Sequence, residues 1–186
     1  MPNRLLPTLL SGAMLLAGSA LQAEQPTEPT PAPAASGLDA VPEKLPFDIP
    51  YGTPIVARRA QSLIQAAVAE ATRRGWPLNI AVVDSGANLV AFLRMDGAQL
   101  ASIAIAEHKA RTAAKYRRPT KAFEDAVQKS GANYVMTLDD VVASRGGIPL
   151  VENGKVIGAI GCSGGTGSQD EVVCTAAAAM VNDHGK

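Results

Sequence analysis

The sequence predicts an α+β fold, a single domain in which an antiparallel β-sheet is flanked by helices. Two pairs of apolar segments are each joined by a short turn, at Asp84-Ser-Gly-Ala87 and at Asn153-Gly154. Strands joined by such short turns run antiparallel, because parallel strands need a long crossover. Helical periodicity before, between and after the two hairpins then places helices against the sheet.

The first hairpin is predicted over residues 78–93, where two near-continuous apolar runs indicate strands that are covered on both faces. The second hairpin spans residues 148–162, and Asn153-Gly154 suits the φ > 0 geometry of its tight turn. A glycine-rich segment, Gly158 to Glu171, leads from this hairpin into the last helix.

Four helices are predicted from apolar residues at helical spacing and from the residues that begin and end them. The first follows Thr53-Pro54, which fits an N-cap with proline at the first helical position, and ends at Gly75. Asp96 and Gln99 have the spacing of a capping box for the second helix. The second helix is predicted over 98–116, the third over 121–129 with Gly131 after it, and the fourth over 169–182 with a Ser168–Glu171 capping box. Residues 133–143 are predicted to form a loop with a short helical turn.

The N-terminal residues predict export to the periplasm or the exterior. Arg4 precedes a mostly apolar stretch that ends at Leu21, and Ala23 is a small residue at the expected cleavage position. A membrane anchor is the alternative, although proline and glycine interrupt the stretch. We therefore expect a signal peptide at 1–23, a proline-rich disordered tether at 24–50, a folded domain at 51–186, and no membrane span after cleavage.

Charge and motif spacing exclude several function classes. The formal net charge of +0 argues against a nucleic-acid partner, since such proteins carry a basic stripe and a basic pI. The only histidines are His108 and His184, and neither lies in a metal-binding motif or a recognisable catalytic triad. The sequence assigns no catalytic residue. The metal-binding role that it leaves open is that of a single axial ligand to haem iron.

The two cysteines, Cys162 and Cys174, are predicted to lie at the end of a strand and in the first turns of the last helix. Export would permit a disulfide, which needs Cα atoms within about 7 Å of each other. Free cysteine is also common as a small buried apolar residue. The sequence favours two unbonded buried cysteines and leaves the disulfide as the alternative.

The second helix carries a polar band beside its predicted core stripe of Leu100, Ile103, Ala106, Ala110 and Ala113. Residues three and four apart share a helix face. A band with an imidazole, an ammonium group, a hydroxyl and a phenol could line a pocket, and a solvated helix face is the alternative. The band holds Ile105, His108, Lys109, Thr112 and Tyr116, and a basic cluster nearby holds Lys109, Arg111, Lys115, Arg117, Arg118 and Lys121.

The glycine-rich turn between the last strand and the last helix is the second candidate site. It is not a Walker A loop, because no Gly-Lys-Ser/Thr follows, and it does not have the spacing of a dinucleotide fingerprint. Its backbone amides at a helix N-terminus could bind an anion. The alternative is a plain strand-to-helix turn that the Ser168–Glu171 capping box closes.

The ordered set of motifs resembles the GlcG/HbpS family, which includes secreted haem-binding proteins and the C-terminal domain of PduO-type proteins. The resemblance covers about residues 54–181 and implies a profilin-like fold, homo-oligomers, and haem or another small anionic ligand. It also implies cofactor contacts in the Lys109-x-x-Thr112 helix and in the loop of Ser163, Gly164, Gly165 and Thr166. The motifs are Ala81–Phe92, Arg94–Ala98, Lys109–Ala113, Arg118–Thr120, Gly146–Leu150 and Gly158–Asp170.

Three functional hypotheses follow from the residues and the resemblance. The first is an exported haem-binding protein in which His108 or Tyr116 binds iron and the basic cluster holds the propionates. The second is an enzyme acting on a small carboxylic acid that Lys109 would bind, although no general base is evident. The third is a non-catalytic oligomeric accessory protein, and the sequence favours a protein that is not an enzyme.

Overall fold

Four antiparallel strands form the centre of the structure, a computed structural model in which residues 41–45 and 47–182 are described. The strands are β1 Asn79–Asp84, β2 Leu89–Arg94, β3 Gly147–Glu152 and β4 Lys155–Ser163. Their order in the sheet is β2-β1-β4-β3, so the two hairpins meet through β1 and β4. Both predicted hairpins are confirmed, and the second turns at Asn153 and Gly154 with φ values of 50° and 72°.

Helices cover both faces of this sheet. They are α1 Ala57–Arg74, α2 Ser102–Lys115, α3 Lys121–Ser130 and α4 Gly167–Asn182, with a 3-10 turn at Asn133–Thr137. Helices α1 and α4 pack together on one face, and α2 packs on the other face against β1, β3 and β4. The predicted α+β fold, an antiparallel sheet flanked by helices in one domain, is confirmed.

The two faces of the sheet are packed by side chains of different size. The α1/α4 face buries branched residues such as Leu63, Ile80 and Ile160. The α2 face is built almost entirely of alanine and glycine. A Cβ atom added to Gly161 would lie 2.2 Å from the carbonyl oxygen of Ala106, so α2 rests directly on the backbone of β4. This close approach positions the polar band of α2 relative to the end of β4.

Two of the predicted helix starts are wrong. Helix α1 begins at Ala57 after Val56, so Thr53-Pro54 is not its cap. Helix α2 begins at Ser102 and has no side-chain cap, and Leu100, predicted for the core, is 68% exposed. Both errors have the same cause. A capping pattern can occur in the turn before a helix, and tertiary contacts then decide at which residue the helix begins. The predicted helix ends are confirmed at Gly75 and Gly131, which adopt left-handed φ values of 69° and 63°.

Strand β2 also differs from the prediction. Strand β1 is buried along almost its whole length, as its apolar sequence predicts. Strand β2 is an outer strand of the sheet, and its residues are half-buried or exposed. An apolar run therefore does not distinguish a central strand from an edge strand.

The folded contacts begin a few residues before Tyr51. The amide of Val156 donates to the carbonyl of Pro50 (2.8 Å), and the amide of Gly52 donates to the carbonyl of Val156 (2.8 Å). The hydroxyl of Tyr51 donates to the carbonyl of Lys115 at the end of α2 (2.7 Å). The predicted signal peptide and residues 24–40 of the predicted tether lie outside the described residues.

Candidate functional site

Lys109 lies at the centre of the region where α2, the end of β4 and the start of α4 meet. Its side chain is 2% exposed, and its Nζ is 2.8 Å from Oδ2 of Asp170, which is 3% exposed. The same Nζ donates to the carbonyl of Cys162 (3.3 Å). A Cβ atom at Gly146 would lie 3.1 Å from this Nζ, so glycine leaves the room that the ion pair needs. The structure therefore gives Lys109 an internal partner in place of the ligand that the sequence predicts.

Asp170 also holds the glycine-rich loop. Its Oδ1 accepts a hydrogen bond from the amide of Gly165 (3.1 Å). One carboxylate thus ties the loop backbone to the ammonium group of α2, and the loop conformation depends on a residue one turn into α4. Sequence analysis missed Asp170, although an acidic residue in the first turn of a helix is a favourable position for a carboxylate.

A capping box closes the turn into α4, two residues earlier than predicted. The amide of Thr166 donates to Oε1 of Gln169 (2.8 Å), and the amide of Gln169 donates to Oγ1 of Thr166 (3.3 Å). The predicted Ser168–Glu171 box is wrong, since Glu171 instead pairs with Arg145 (3.5 Å). The loop amides of residues 165 and 166 therefore already have partners, although both residues are exposed at the surface.

Cys162 and Cys174 form a disulfide, so the prediction of two unbonded cysteines is wrong. Their Cα atoms are 5.8 Å apart, and both residues are fully buried. Cys174 lies one turn after Asp170 on α4, so the disulfide and the ion pair lie side by side between α4 and β4. The sequence spacing could not decide this pairing, because the distance depends on how α4 folds back over the sheet.

The next polar residues of the α2 band hold the segment after the 3-10 turn. The hydroxyl of Thr112 donates to the carbonyl of Asp140 and accepts from the amide of Val142. The hydroxyl of Tyr116 donates to the carbonyl of Asp139 (2.7 Å), and its ring packs edge-on against Phe123 with centroids 5.1 Å apart. Both side chains therefore have internal partners, and the predicted pocket-lining band is divided between the interior and the surface.

His108 is the polar residue of this band that remains exposed. It lies near the carboxylate of Asp140, whose pKa is lowered chiefly by its ion pair with Lys115 and, to a smaller extent, by Arg111 and His108. Ile105, one turn earlier on α2, is 38% exposed. An imidazole with apolar and cationic neighbours thus faces solvent on the outer side of α2.

The predicted basic cluster is largely neutralised by its neighbours. Arg111 pairs with Glu107 and Lys121 pairs with Asp125 along their own helices. The guanidinium of Arg118 lies over the ring of Phe47, 3.8 Å from its centroid, and burial lowers the pKa of Arg118. The cluster is therefore a set of local ion pairs and ring contacts, within which Arg111 and Lys115 remain partly exposed.

Arg145 links α3 to α4 beside the loop, and sequence analysis did not identify it. Its backbone amide and its Nε donate to the two carboxylate oxygens of Glu124, at 2.7 and 2.8 Å. This double contact lowers the pKa of Glu124, a residue that is 9% exposed. A Cβ atom at Gly167 would lie 3.0 Å from Cγ of Arg145, so glycine allows the arginine to pack against the start of α4.

The described residues contain no group of three or more histidine, cysteine, aspartate or glutamate side chains that could hold a metal ion, and His184 lies outside them. No helix among residues 41–45 and 47–182 is both long and apolar enough to cross a bilayer. Of the predicted site residues, Lys109 meets the glycine-rich loop through Asp170, and His108 lies apart on the outer face of α2.

Comparison with known proteins identifies relatives that match most of the folded part. Residues 55–179 match the family model described as "Haem degrading protein HbpS-like". The GlcG protein of Escherichia coli K12 is 42% identical over 104 residues, which is 56% of this chain and 77% of GlcG. The crystal structure of ORFY from Klebsiella pneumoniae is 29% identical with a TM-score of 0.67, covering 75% of this chain and 98% of ORFY. The crystal structure of a PduOC:haem complex is 29% identical with a TM-score of 0.63, covering 70% of this chain and 96% of PduOC.

The buried ion pair predicts a large and asymmetric cost of substitution. Lys109→Met leaves the Asp170 carboxylate buried without its cation, and we expect the free energy of unfolding to fall by about 3–5 kcal/mol. Adding Asp170→Asn, which keeps an acceptor for the Gly165 amide, should recover part of this loss. Urea denaturation of the single and double variants measures the coupling.

Lys115→Met, in an ion pair that is 46% exposed at the lysine, is the control and should cost less than about 1 kcal/mol. Additive effects of the two substitutions would contradict this assignment.

The Glu124–Arg145 pair predicts a loss of stability in acid. The pKa of Glu124 lies below its ordinary value of 4.5 in the folded chain, so its contribution is complete above that pH. The contribution is lost as the pH falls through the folded-state pKa, because the unfolded chain then binds the proton more readily. We expect Glu124→Gln to lower the urea midpoint at neutral pH and to make its decline below about pH 4.5 shallower. Glu107→Gln, in a more exposed pair, should leave the decline unchanged, and an equally steep decline in Glu124→Gln would contradict the prediction.

Proposed function

Because the chain belongs to the HbpS-like family, we propose that it binds haem or a closely related tetrapyrrole. The observation that carries this proposal is the similarity, over 70% of the chain, to a structure that was solved as a haem complex. The GlcG/HbpS resemblance predicted from the sequence motifs is confirmed by the family match and by GlcG itself. Fold similarity alone would not be enough, since one fold can serve several functions.

We place the iron ligand at His108. Its imidazole is exposed on the outer face of α2, and histidine is a common axial ligand of haem. Tyr116, the alternative from the sequence, fits less well, because its hydroxyl donates to the carbonyl of Asp139 and its ring packs on Phe123. When bound, haem would supply a redox-active iron, and the chain's own residues would bind and orient the group.

Arg111 and Lys115 are the cations best placed for the propionates. They lie one and two turns after His108 on the same side of α2, and both are partly exposed. Each has a carboxylate partner, Glu107 and Asp140, so a propionate would replace a carboxylate rather than fill an empty position. Ile105 adds an exposed apolar contact before His108. The loop residues Gly164, Gly165 and Thr166 are not part of this haem site, because the loop meets α2 at Lys109 and not at His108, and Ser163 and Thr112 are buried. The ligand contacts predicted for the loop stay a separate prediction.

The structure weakens the alternative of an enzyme that binds a small carboxylic acid through Lys109. That ammonium group is paired with Asp170 and almost fully buried, so an external carboxylate would have to displace an internal one. We therefore favour haem binding over the turnover of a small carboxylic acid at Lys109.

We also propose that the protein works in the periplasm or outside the cell. The N-terminal sequence has the pattern of a cleaved signal peptide at residues 1–23. The buried Cys162–Cys174 disulfide supports this location, because disulfides persist in oxidising compartments.

Titration of the purified chain with haem tests the ligand assignment. We expect a shifted Soret band with the native sequence. His108→Ala should abolish or shift that band and weaken binding at least about tenfold, which corresponds to about 1.4 kcal/mol. Tyr116→Phe, which keeps the ring packing, is the matched control and should retain the native spectrum. No Soret shift with the native chain would refute haem binding, whereas an unchanged spectrum in His108→Ala would refute only the ligand.

Expression of the full chain in a bacterium with a periplasm tests export. We expect the periplasmic fraction to contain a chain that begins at Glu24 and has no free thiol. Intact mass and thiol titration before and after reduction measure both properties. Intact chain that retains Met1 to Ala23, found only with the cytoplasm, would contradict the proposal.

A further inference from the structure

Aromatic side chains are concentrated around the turn between α2 and α3. The chain has three tyrosines, three phenylalanines and one tryptophan. The guanidinium of Arg118 lies 3.8 Å from the ring centroid of Phe47 and 4.7 Å from that of Phe123. The guanidinium of Arg117 lies 5.6 Å from the ring centroid of Tyr51. The rings that surround these two adjacent arginines are those of Phe47, Tyr51, Tyr116 and Phe123.

Arg117 and Arg118 lack the acidic partners that the neighbouring cations have. The lysines on either side, Lys115 and Lys121, form ion pairs with aspartates. Among residues 41–45 and 47–182, no carboxylate lies within ion-pair distance of either arginine. Burial lowers the pKa of the Arg118 guanidinium, and the charge of Arg117 acts in the same direction. Two half-buried positive charges therefore lie together without a counter-charge from the described part of the chain.

The backbone of Arg117 has a conformation in which helices usually end on glycine. Its φ is 55°, and the amide of Arg118 donates to the carbonyl of Ala113 (3.3 Å), which is the bond of a Schellman turn. The corresponding residues after α1 and α3 are Gly75 and Gly131. A side chain in the left-handed region costs backbone free energy, and such strain is concentrated at functional sites. The arginine therefore has a role that glycine could not fill.

Each guanidinium keeps hydrogen-bond donors that the described residues do not use. Nη1 of Arg117 donates to the carbonyl of Ile49 (3.1 Å), and Nε of Arg118 donates to the carbonyl of Tyr116 (3.3 Å). A guanidinium has five N–H donors in one plane, so each arginine can still donate along a free edge. Phe47 covers the face of the Arg118 guanidinium, and it does not block donors that lie in the plane.

We propose that Arg117 and Arg118 bind the phosphate group of a small phosphate monoester that carries an aromatic ring. Arginine binds phosphate through paired, charge-assisted hydrogen bonds. A phosphate monoester carries a charge of about −1.5 to −2 at pH 7, which matches two guanidinium groups more closely than the single charge of a carboxylate does. The bound phosphate would supply the counter-charge that the described part of the chain does not provide.

Exposed rings beside the two arginines provide contacts for the aromatic part of this ligand. Tyr51 and Tyr134 are 48% and 56% exposed, and Tyr134 lies close enough to Arg118 to raise its pKa. Offset and edge-to-face contacts between aromatic rings are favourable. Arg117 lies about 13 Å from His108 along α2, at about 1.5 Å per residue, so this site is separate from the proposed haem ligand.

Calorimetric titration of the mature chain without haem tests the proposal, so the outcome is independent of haem binding. We expect phenyl phosphate to bind about tenfold more tightly than inorganic phosphate, which has no ring. Arg117→Gly should weaken phenyl phosphate binding at least about tenfold. The same variant should keep or raise the urea midpoint, because glycine suits the left-handed backbone. Arg73→Gln, which removes a 65% exposed arginine on α1, is the control and should bind phenyl phosphate like the native chain.

Arginine-selective labelling provides a second measurement, and Arg118→Lys a second variant. Lysine keeps the charge and loses the planar fork, so Arg118→Lys should also weaken phenyl phosphate binding. We expect phenyl phosphate to protect Arg117 and Arg118, but not Arg73, from modification by phenylglyoxal, as mapped by mass spectrometry. Absence of phenyl phosphate binding, equal binding of inorganic phosphate, native affinity in Arg117→Gly, or equal protection of Arg73 would overturn the proposal.

Discussion

A lysine and an aspartate that are both nearly inaccessible to water join three elements of this protein. Removing two charges from water is costly, and only their close contact and additional hydrogen bonds offset that cost. Lys109 and Asp170 meet this condition at 2.8 Å, with further bonds to the carbonyl of Cys162 and the amide of Gly165. Helix α2, the end of β4 and the start of α4 must therefore keep one relative position.

Two glycines and the disulfide beside this ion pair provide the space and the fixed geometry that it requires. Gly161 lets α2 approach β4 closely enough for Lys109 to reach past the sheet, and Gly146 leaves space for its ammonium group. The Cys162–Cys174 disulfide fixes α4 to β4 one turn beyond Asp170. Gly146, Gly161, Cys162 and Asp170 lie within the motifs on which the family resemblance rests, and Cys174 lies one turn beyond them. Those motifs therefore specify the packing at the end of β4 as well as a candidate ligand site.

The same arrangement separates the inner face of α2 from its outer face, on which the proposed haem ligand lies. Lys109 and Thr112 point into the protein and are used by its own structure. His108 lies one residue before Lys109 and faces solvent, where Arg111 and Lys115 are its cationic neighbours. A helix that is held rigidly through its inner face presents these outer residues in a fixed geometry, which suits the binding of a flat, rigid and partly anionic ligand such as haem.

The sequence by itself determined the two hairpins, the helix ends at Gly75 and Gly131, the class of fold and the family, because these depend on local turn geometry, periodicity and ordered motifs. It did not determine which strand lies at an edge, that Cys162 meets Cys174, or that Lys109 is paired with Asp170, 61 residues away along the chain. Those features depend on distances between elements, and only the way α2 and α4 pack on opposite faces of the sheet sets them. A polar band on a helix can thus be read from spacing, but whether each side chain serves the interior or a ligand is decided by its tertiary neighbours.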